Sequence, residues 1–130
     1  VVCTNLMSLI ETEQEFNNVN VVKVVCDISG NALYMSREPI PSKSKSKSKS
    51  FDCFKILGIY AFRKPLLMQF LSWGPSPIET IETIDMIRLL EHGQQVRMVV
   101  SPFQSIGVDT PEDLIVAKNM MSKDALFGKY

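Results

Sequence analysis

Apolar and polar positions in this 130-residue chain fall into blocks that alternate between strand-like runs and helical periodicity. Residues 1–10 read as a strand and a turn. Residues 11–18 are polar apart from Phe16 and suit a short helix or loop. Val21, Val22, Lys23, Val24 and Val25 form a β-branched run inside a strand over 19–27. Ser29-Gly30-Asn31 is a turn signal, and Ala32–Met35 returns as the second strand of a hairpin. The run 54–63 is the strongest strand. Residues 64–73 carry Leu66, Leu67, Phe70 and Leu71 at helical spacing, and Gly74-Pro75-Ser76-Pro77 breaks that helix. A helix is predicted over 78–92, with Ile78, Ile81, Ile84 and Ile87 on its buried side and Gly93 ending it. A strand over 96–100, a loop over 101–105, a last strand closed by Val108 and a helix over 111–122 complete the chain. The pattern predicts an α/β fold with a mixed sheet and an antiparallel hairpin portion.

Residues 36–41 hold two prolines and read as an ordered loop, whereas 42–50 alternate Ser and Lys with no apolar residue. Such a run offers nothing to offset its ordering entropy and is expected to be a disordered surface loop. The formal net charge is zero, which gives no overall attraction to nucleic acid or to an anionic membrane. Removing the four lysines of that run leaves 10 basic against 14 acidic residues. Cys3, Cys26 and Cys53 form no C-x-x-C pair and His92 is the single histidine, so reduced thiols are expected instead of zinc or disulfides. No apolar stretch of eighteen residues and no signal-peptide pattern occurs, and a soluble, intracellular chain is expected. The chain opens on Val1-Val2-Cys3-Thr4 in the middle of a strand, which suggests a fragment.

Candidate chemistry centres on Ile106-Gly107-Val108-Asp109-Thr110-Pro111-Glu112-Asp113-Leu114. Thr110 suits a helix cap, Pro111 suits the first helical position, and Glu112 and Asp113 complement the helix dipole. Asp109 then stands at a strand's carboxyl end, where open α/β sheets collect ligands. Its carboxylate is placed either to hold Mg²⁺ against phosphates or to serve the turn as an Asx residue. Glu79, Glu82 and Asp85 recur every third residue and would either bind sugar hydroxyls or form a solvated helix face. Arg37 is a candidate for a carboxylate or phosphate, or for a surface ion pair. Lys23 sits among four valines and must reach an anion or the surface. Tyr60 would offer its hydroxyl to a ligand or pack as core. Neither a nucleophilic triad nor a glycine-rich phosphate loop is present.

Five blocks, in order and similarly spaced, resemble one family: Asn20–Val25, Ala32–Arg37, Leu57–Arg63, Pro75–Glu79 and Gly107–Leu114. The family is 3-deoxy-manno-octulosonate cytidylyltransferase, or CMP-KDO synthetase. The resemblance covers the chain apart from 42–51 and the last few residues. It implies a nucleotidyltransferase (Rossmann-like) α/β fold, with residues 1–130 as the C-terminal part of a single domain. The nucleotide-binding half would lie outside this chain, leaving apolar surface exposed where it docks. Members transfer CMP from CTP to the sugar acid KDO and release pyrophosphate, in the cytoplasm of bacteria that make lipopolysaccharide. They use Mg²⁺ and commonly form dimers. By resemblance Asp109 matches a metal-binding aspartate, Lys23 and Arg37 match basic positions near the sugar acid, and Tyr60 lines its site. Asp85 stands where a sugar-binding Glu is usual, Ile56 where a His is usual, and Met86 where a Gln is usual. The resemblance therefore also admits a non-catalytic remnant or a dimerisation module, and the chain by itself is expected to be inactive.

Overall fold

The computed structural model describes residues 1–48, 52–103 and 105–129. Its strands are β1 (Cys3–Leu9), β2 (Lys23–Cys26), β3 (Ala32–Ser36), β4 (Phe54–Phe62) and β5 (Arg97–Val100). They form one mixed sheet in the order β3-β2-β4-β1-β5, with β1 and β5 parallel and the other neighbours antiparallel. The helices are α1 (Glu13–Asn17), α2 (Lys64–Ser72), α3 (Pro77–Glu82), α4 (Ile87–Glu91) and α5 (Pro111–Ser122).

Local chemistry explains the early elements. The β2–β3 hairpin turns on Asp27, whose carboxylate accepts from the backbone N–H groups of Ser29 and Asn31 at 2.8 and 2.9 Å. In α1 the Thr12 hydroxyl accepts from the Glu15 N–H at 3.1 Å, and Phe16 supplies the buried side chain. The Lys43 ammonium lies 4.2 Å from the Phe16 ring centroid, which fixes the start of the Ser-Lys run to this helix. From Ser42 to Ser48 that run is exposed and makes local serine turns; positions 49 and 50 lie outside the described residues. All three cysteines are free thiols.

One sheet face packs the core, in which Cys3, Met7 and Met98 meet Met35, Leu66, Ile84, Met86, Ile87 and Leu89. β4 carries a bulge here. Its pairing with β1 slips between Asn5↔Tyr60 and Met7↔Ile56, and Gly58 inside the bulge takes φ +69°, open to a residue without Cβ.

Two expectations are corrected. The helix expected over 78–92 is two short helices, α3 and α4, separated at Thr83, which adopts the left-handed conformation with φ 55°. Residues spaced by three drift about 60° per step around a helix, so Ile78 and Ile87 would end about 180° apart. A continuous helix cannot bury them together. The break buries Ile84 and Ile87 and leaves Ile81 82% exposed. The strand expected to close at Val108 is also absent, since residues 105–109 pair with no strand. Two apolar positions, Ile106 and Val108, separated by Gly107 offer too little side chain to hold a ladder, and Val108 is exposed. Helix α5 forms as expected but buries none of its residues.

Candidate functional site

Helix α1, the start of β4 and the stretch 105–109 enclose a cleft of about 760 Å³. Glu15, Lys55, Ile56, Gly58, Asp109 and Asp113 are among its walls. Lys55 is nearly buried, and its ammonium pairs with the Glu15 carboxylate and donates to the Ser105 carbonyl at 3.4 Å. A β4 lysine thereby ties α1 to the segment that carries Asp109. Sequence reasoning passed over Lys55, although a lysine within the strongest apolar strand is the same anomaly that singled out Lys23. The two lysines are direct partners in the β2–β4 register.

Asp109 reaches the cleft because the turn does not need its side chain. The Thr110 hydroxyl accepts from the Asp113 N–H at 3.2 Å, and the Asp113 carboxylate accepts from the N–H groups of Thr110 and Asp109 at 2.9 and 3.2 Å. The hydrogen bond with the Thr110 side chain, helped by these N–H donors, holds the Asp113 carboxyl below its ordinary pKa. Asp109 itself is exposed, and its carboxylate takes no hydrogen bond among the described residues. No group of three potential metal ligands exists among those residues. Mg²⁺ is commonly held by one or two carboxylates together with substrate phosphates. Asp109 therefore fits as one ligand of a metal–nucleotide complex and does not fit a self-sufficient metal site.

A second cluster sits at the α3–α4 corner, among residues that do not themselves line the cleft. The Glu82 carboxylate accepts from the hydroxyls of Tyr34 and Ser36 at 2.9 and 2.7 Å and from the Arg37 N–H at 3.0 Å. Burial opposes its charge, but these donors carry its pKa below the usual value. Glu79 is buried and ion-paired with Arg88, whose hydrogen bonds hold its carboxyl down at about 2. Glu91 caps α3 by accepting from the N–H groups of Ile78 and Glu79, each at 3.1 Å. Two carboxylates of the Glu79-Glu82-Asp85 series thus point inward as structural acceptors, and only Asp85 remains exposed.

The same corner occupies two of the candidate cations. The Arg37 guanidinium donates to the carbonyls of Val19, Glu82 and Thr83 at 3.0, 3.0 and 3.1 Å and to the Thr83 hydroxyl at 2.8 Å. These bonds hold Thr83 in its left-handed turn. Lys23 is fully buried, and its three ammonium protons go to the carbonyls of Asn18, Val21 and Arg37. Burial lowers its pKa, while Glu38 and Glu82 raise it. The structure thus brings Lys23 and Arg37 together as a backbone clamp, and the Asn18 and Val21 carbonyls that Lys23 holds belong to the wall of the cleft that Asp109 also lines.

Tyr60 stands at the far side of the β4 bulge. Burial pushes its hydroxyl up to about 12, the charge of Asp85 adds to that, and the Asn5 amide pulls the other way. Asn5 is its cross-strand partner and is 1% exposed. Neither polar atom of the Asn5 side chain makes a hydrogen bond of ordinary geometry. Ile56 lines the cleft, whereas Met86 packs into the core.

A family profile described as Cytidylyltransferase matches residues 3–104. The chain belongs to the cytidylyltransferase family. It is 42% identical over 122 residues to the 3-deoxy-manno-octulosonate cytidylyltransferase of Pelobacter propionicus, covering 87% of this chain and 48% of that protein. With the enzyme of the same description from Geobacter sulfurreducens it shares 42% over 118 residues, 84% of this chain and 47% of that one. A solved CMP:2-keto-3-deoxy-manno-octonic acid synthetase, complexed with CTP, superposes with a TM-score of 0.82 at 29% identity. That match covers 95% of this cytidylyltransferase chain and 50% of the solved one. The mixed α/β architecture is therefore that of a nucleotidyltransferase, and the chain spans about half the length of the relatives it matches.

Proposed function

We propose that this chain forms the sugar-acid side of a cytidylyltransferase that joins CMP to 3-deoxy-manno-octulosonate. The reading rests on the Asp109 carboxylate, which lines the cleft and takes no hydrogen bond among the described residues, in a chain whose relatives carry that enzyme name. In the reaction the anomeric hydroxyl oxygen of the sugar acid bonds to the α-phosphorus of CTP. The bond from that phosphorus to the pyrophosphate oxygen breaks, and the hydroxyl proton is lost. Mg²⁺ would supply charge neutralisation of the phosphates, with Asp109 as one of its ligands. Tyr60 and Asp85 would contact the sugar. Lys23 and Arg37 act on it indirectly, by fixing the corner that carries Asp85. A cytoplasmic enzyme of lipopolysaccharide synthesis, dimeric when complete, is the corresponding setting.

One carboxylate without a phosphate cradle cannot position Mg·CTP, so the chain alone is expected to release no pyrophosphate from CTP and KDO. The deciding experiment replaces the matching half of the Pelobacter propionicus enzyme with this chain and measures KDO-dependent pyrophosphate release. Turnover that rises when Ile56→His restores an imidazole to the cleft wall supports the reading. A folded chimera inert with and without that change overturns it. Such an outcome would favour a non-catalytic remnant or dimerisation module, which the uncovered apolar side of α5 also suits.

A further inference from the structure

Little holds the arm 105–122 to the rest of the molecule. Residues 105–109 pair with no strand, and α5 buries none of its residues. Upstream, the Ser101 N–H donates to the Met7 carbonyl at 2.7 Å, the last backbone bond to the sheet among the described residues. Beyond it, the Lys55 ammonium is the one donor among these residues that reaches from the sheet to the arm, through the Ser105 carbonyl at 3.4 Å. Lys55 is itself well fixed. It is nearly buried on β4, where an ammonium must keep its partners. Its carboxylate partner Glu15 also accepts from the Glu11 N–H at 3.1 Å, which ties the pair to the chain entering α1. Glu11, Glu15, Lys55, Ser105 and Asp109 all line the same cleft. The neighbouring Lys23 shows the same chemistry, since it spends its ammonium protons on backbone carbonyls.

We propose that Lys55 is a positioning residue for the reaction: by clamping Ser105 it fixes where Asp109 meets the metal–nucleotide complex. This role rests on the sugar-acid reading above and adds to it the side chain that places the metal ligand. Tether length gives the size of the effect. With the clamp, Asp109 lies four residues from a fixed point; without it, the nearest fixed point upstream is Ser101, eight residues away. The α5 cap supplies no second fixed point, because α5 is itself packed on nothing. The concentration of a tethered group at its target falls roughly as the three-halves power of tether length, so doubling the tether dilutes Asp109 at the metal about threefold. Pairing with Glu15 accounts for the charge of Lys55, and the bond to Ser105 is what carries its effect to the arm.

The test reads backbone order in the 130-residue chain by nuclear magnetic relaxation. Lys55→Met is expected to drop the order parameters of 105–109 below about 0.6 while the sheet stays near about 0.85, and Lys55→Arg is expected to restore them. Function is read in the chimera described above, as the Mg²⁺ concentration for half-maximal pyrophosphate release. Lys55→Met should raise it about threefold, with a smaller change in the maximal rate. Four glycines inserted between Ile106 and Gly107 lengthen the tether with Lys55 in place. They should raise the Mg²⁺ requirement by a similar factor, and they keep the test sharp should Lys55→Met fold poorly. Order parameters unchanged by Lys55→Met in a folded chain overturn the clamp. A Mg²⁺ requirement moved by neither change overturns its bearing on Asp109. An unaltered chimera that releases no pyrophosphate defeats the sugar-acid reading and with it the role in the reaction, while the order parameters still decide whether Lys55 holds the arm.

Discussion

The α3–α4 corner and the arm from 105 to 122 are built from similar residue types and treat them in opposite ways. At the corner, Glu79, Glu82, Glu91, Arg37 and Arg88 all turn to partners within the chain. Along the arm, the Asp109 carboxylate is left without a hydrogen bond among the described residues, and Leu114, Ile115 and Val116 stay exposed. Charge at the corner is structural, whereas on the arm Asp113 caps the helix and the Asp109 carboxylate is left available to something outside the chain. Residue type therefore says little about role here. Whether a side chain already has a partner says much more.

The contrast breaks most readily at Arg88. Arg88→Ala leaves the buried Glu79 carboxylate without its partner and should cost about 3 kcal/mol in urea unfolding. An unchanged midpoint would mean that the corner is no more than a surface ion pair. Lys23→Met should cost about 2 kcal/mol, because three carbonyls lose their donor at once. Acid sharpens the same point. The folded-state pKa of Glu79 lies near 2, below its ordinary value of 4.5. Its stabilising contribution is therefore complete above about pH 4.5 and fades as pH falls toward 2. Glu79→Gln should flatten that part of the stability–pH curve, and an unaltered slope would remove Glu79 from the account. On the arm, Asp109→Asn should move stability by less than about 0.5 kcal/mol while abolishing pyrophosphate release by the chimera. The smallest effect is expected from Ile115→Gln, which should leave the melt unchanged and reduce self-association in sedimentation.

Strands and turns were legible because period-2 patterning and turn residues act locally. The hairpin around Ser29-Gly30-Asn31, the strand ending near Phe62 and the Thr110 cap all form where the residues predict them. The helix over 78–92 was misread because four isoleucines spaced by three look like one face and are not one. Its break depends on Arg37, which lies 46 residues earlier than Thr83 and could not be connected to it by spacing. For Lys23 an anion or the surface was expected, and backbone carbonyls proved to be a third way to satisfy an ammonium. Asn5 gave no signal in sequence, since one asparagine in a strand is unremarkable until its lack of partners is visible.

The stacked pair Trp73–His92 joins the end of α2 to the end of α4, with ring centroids 3.9 Å apart and planes within 6°. These are the single tryptophan and the single histidine of the chain. The protein consequently carries a built-in optical gauge. Indole emission comes from that junction alone, and loosening of the α4 end would show as a change in its wavelength as the ring loses its stacking partner.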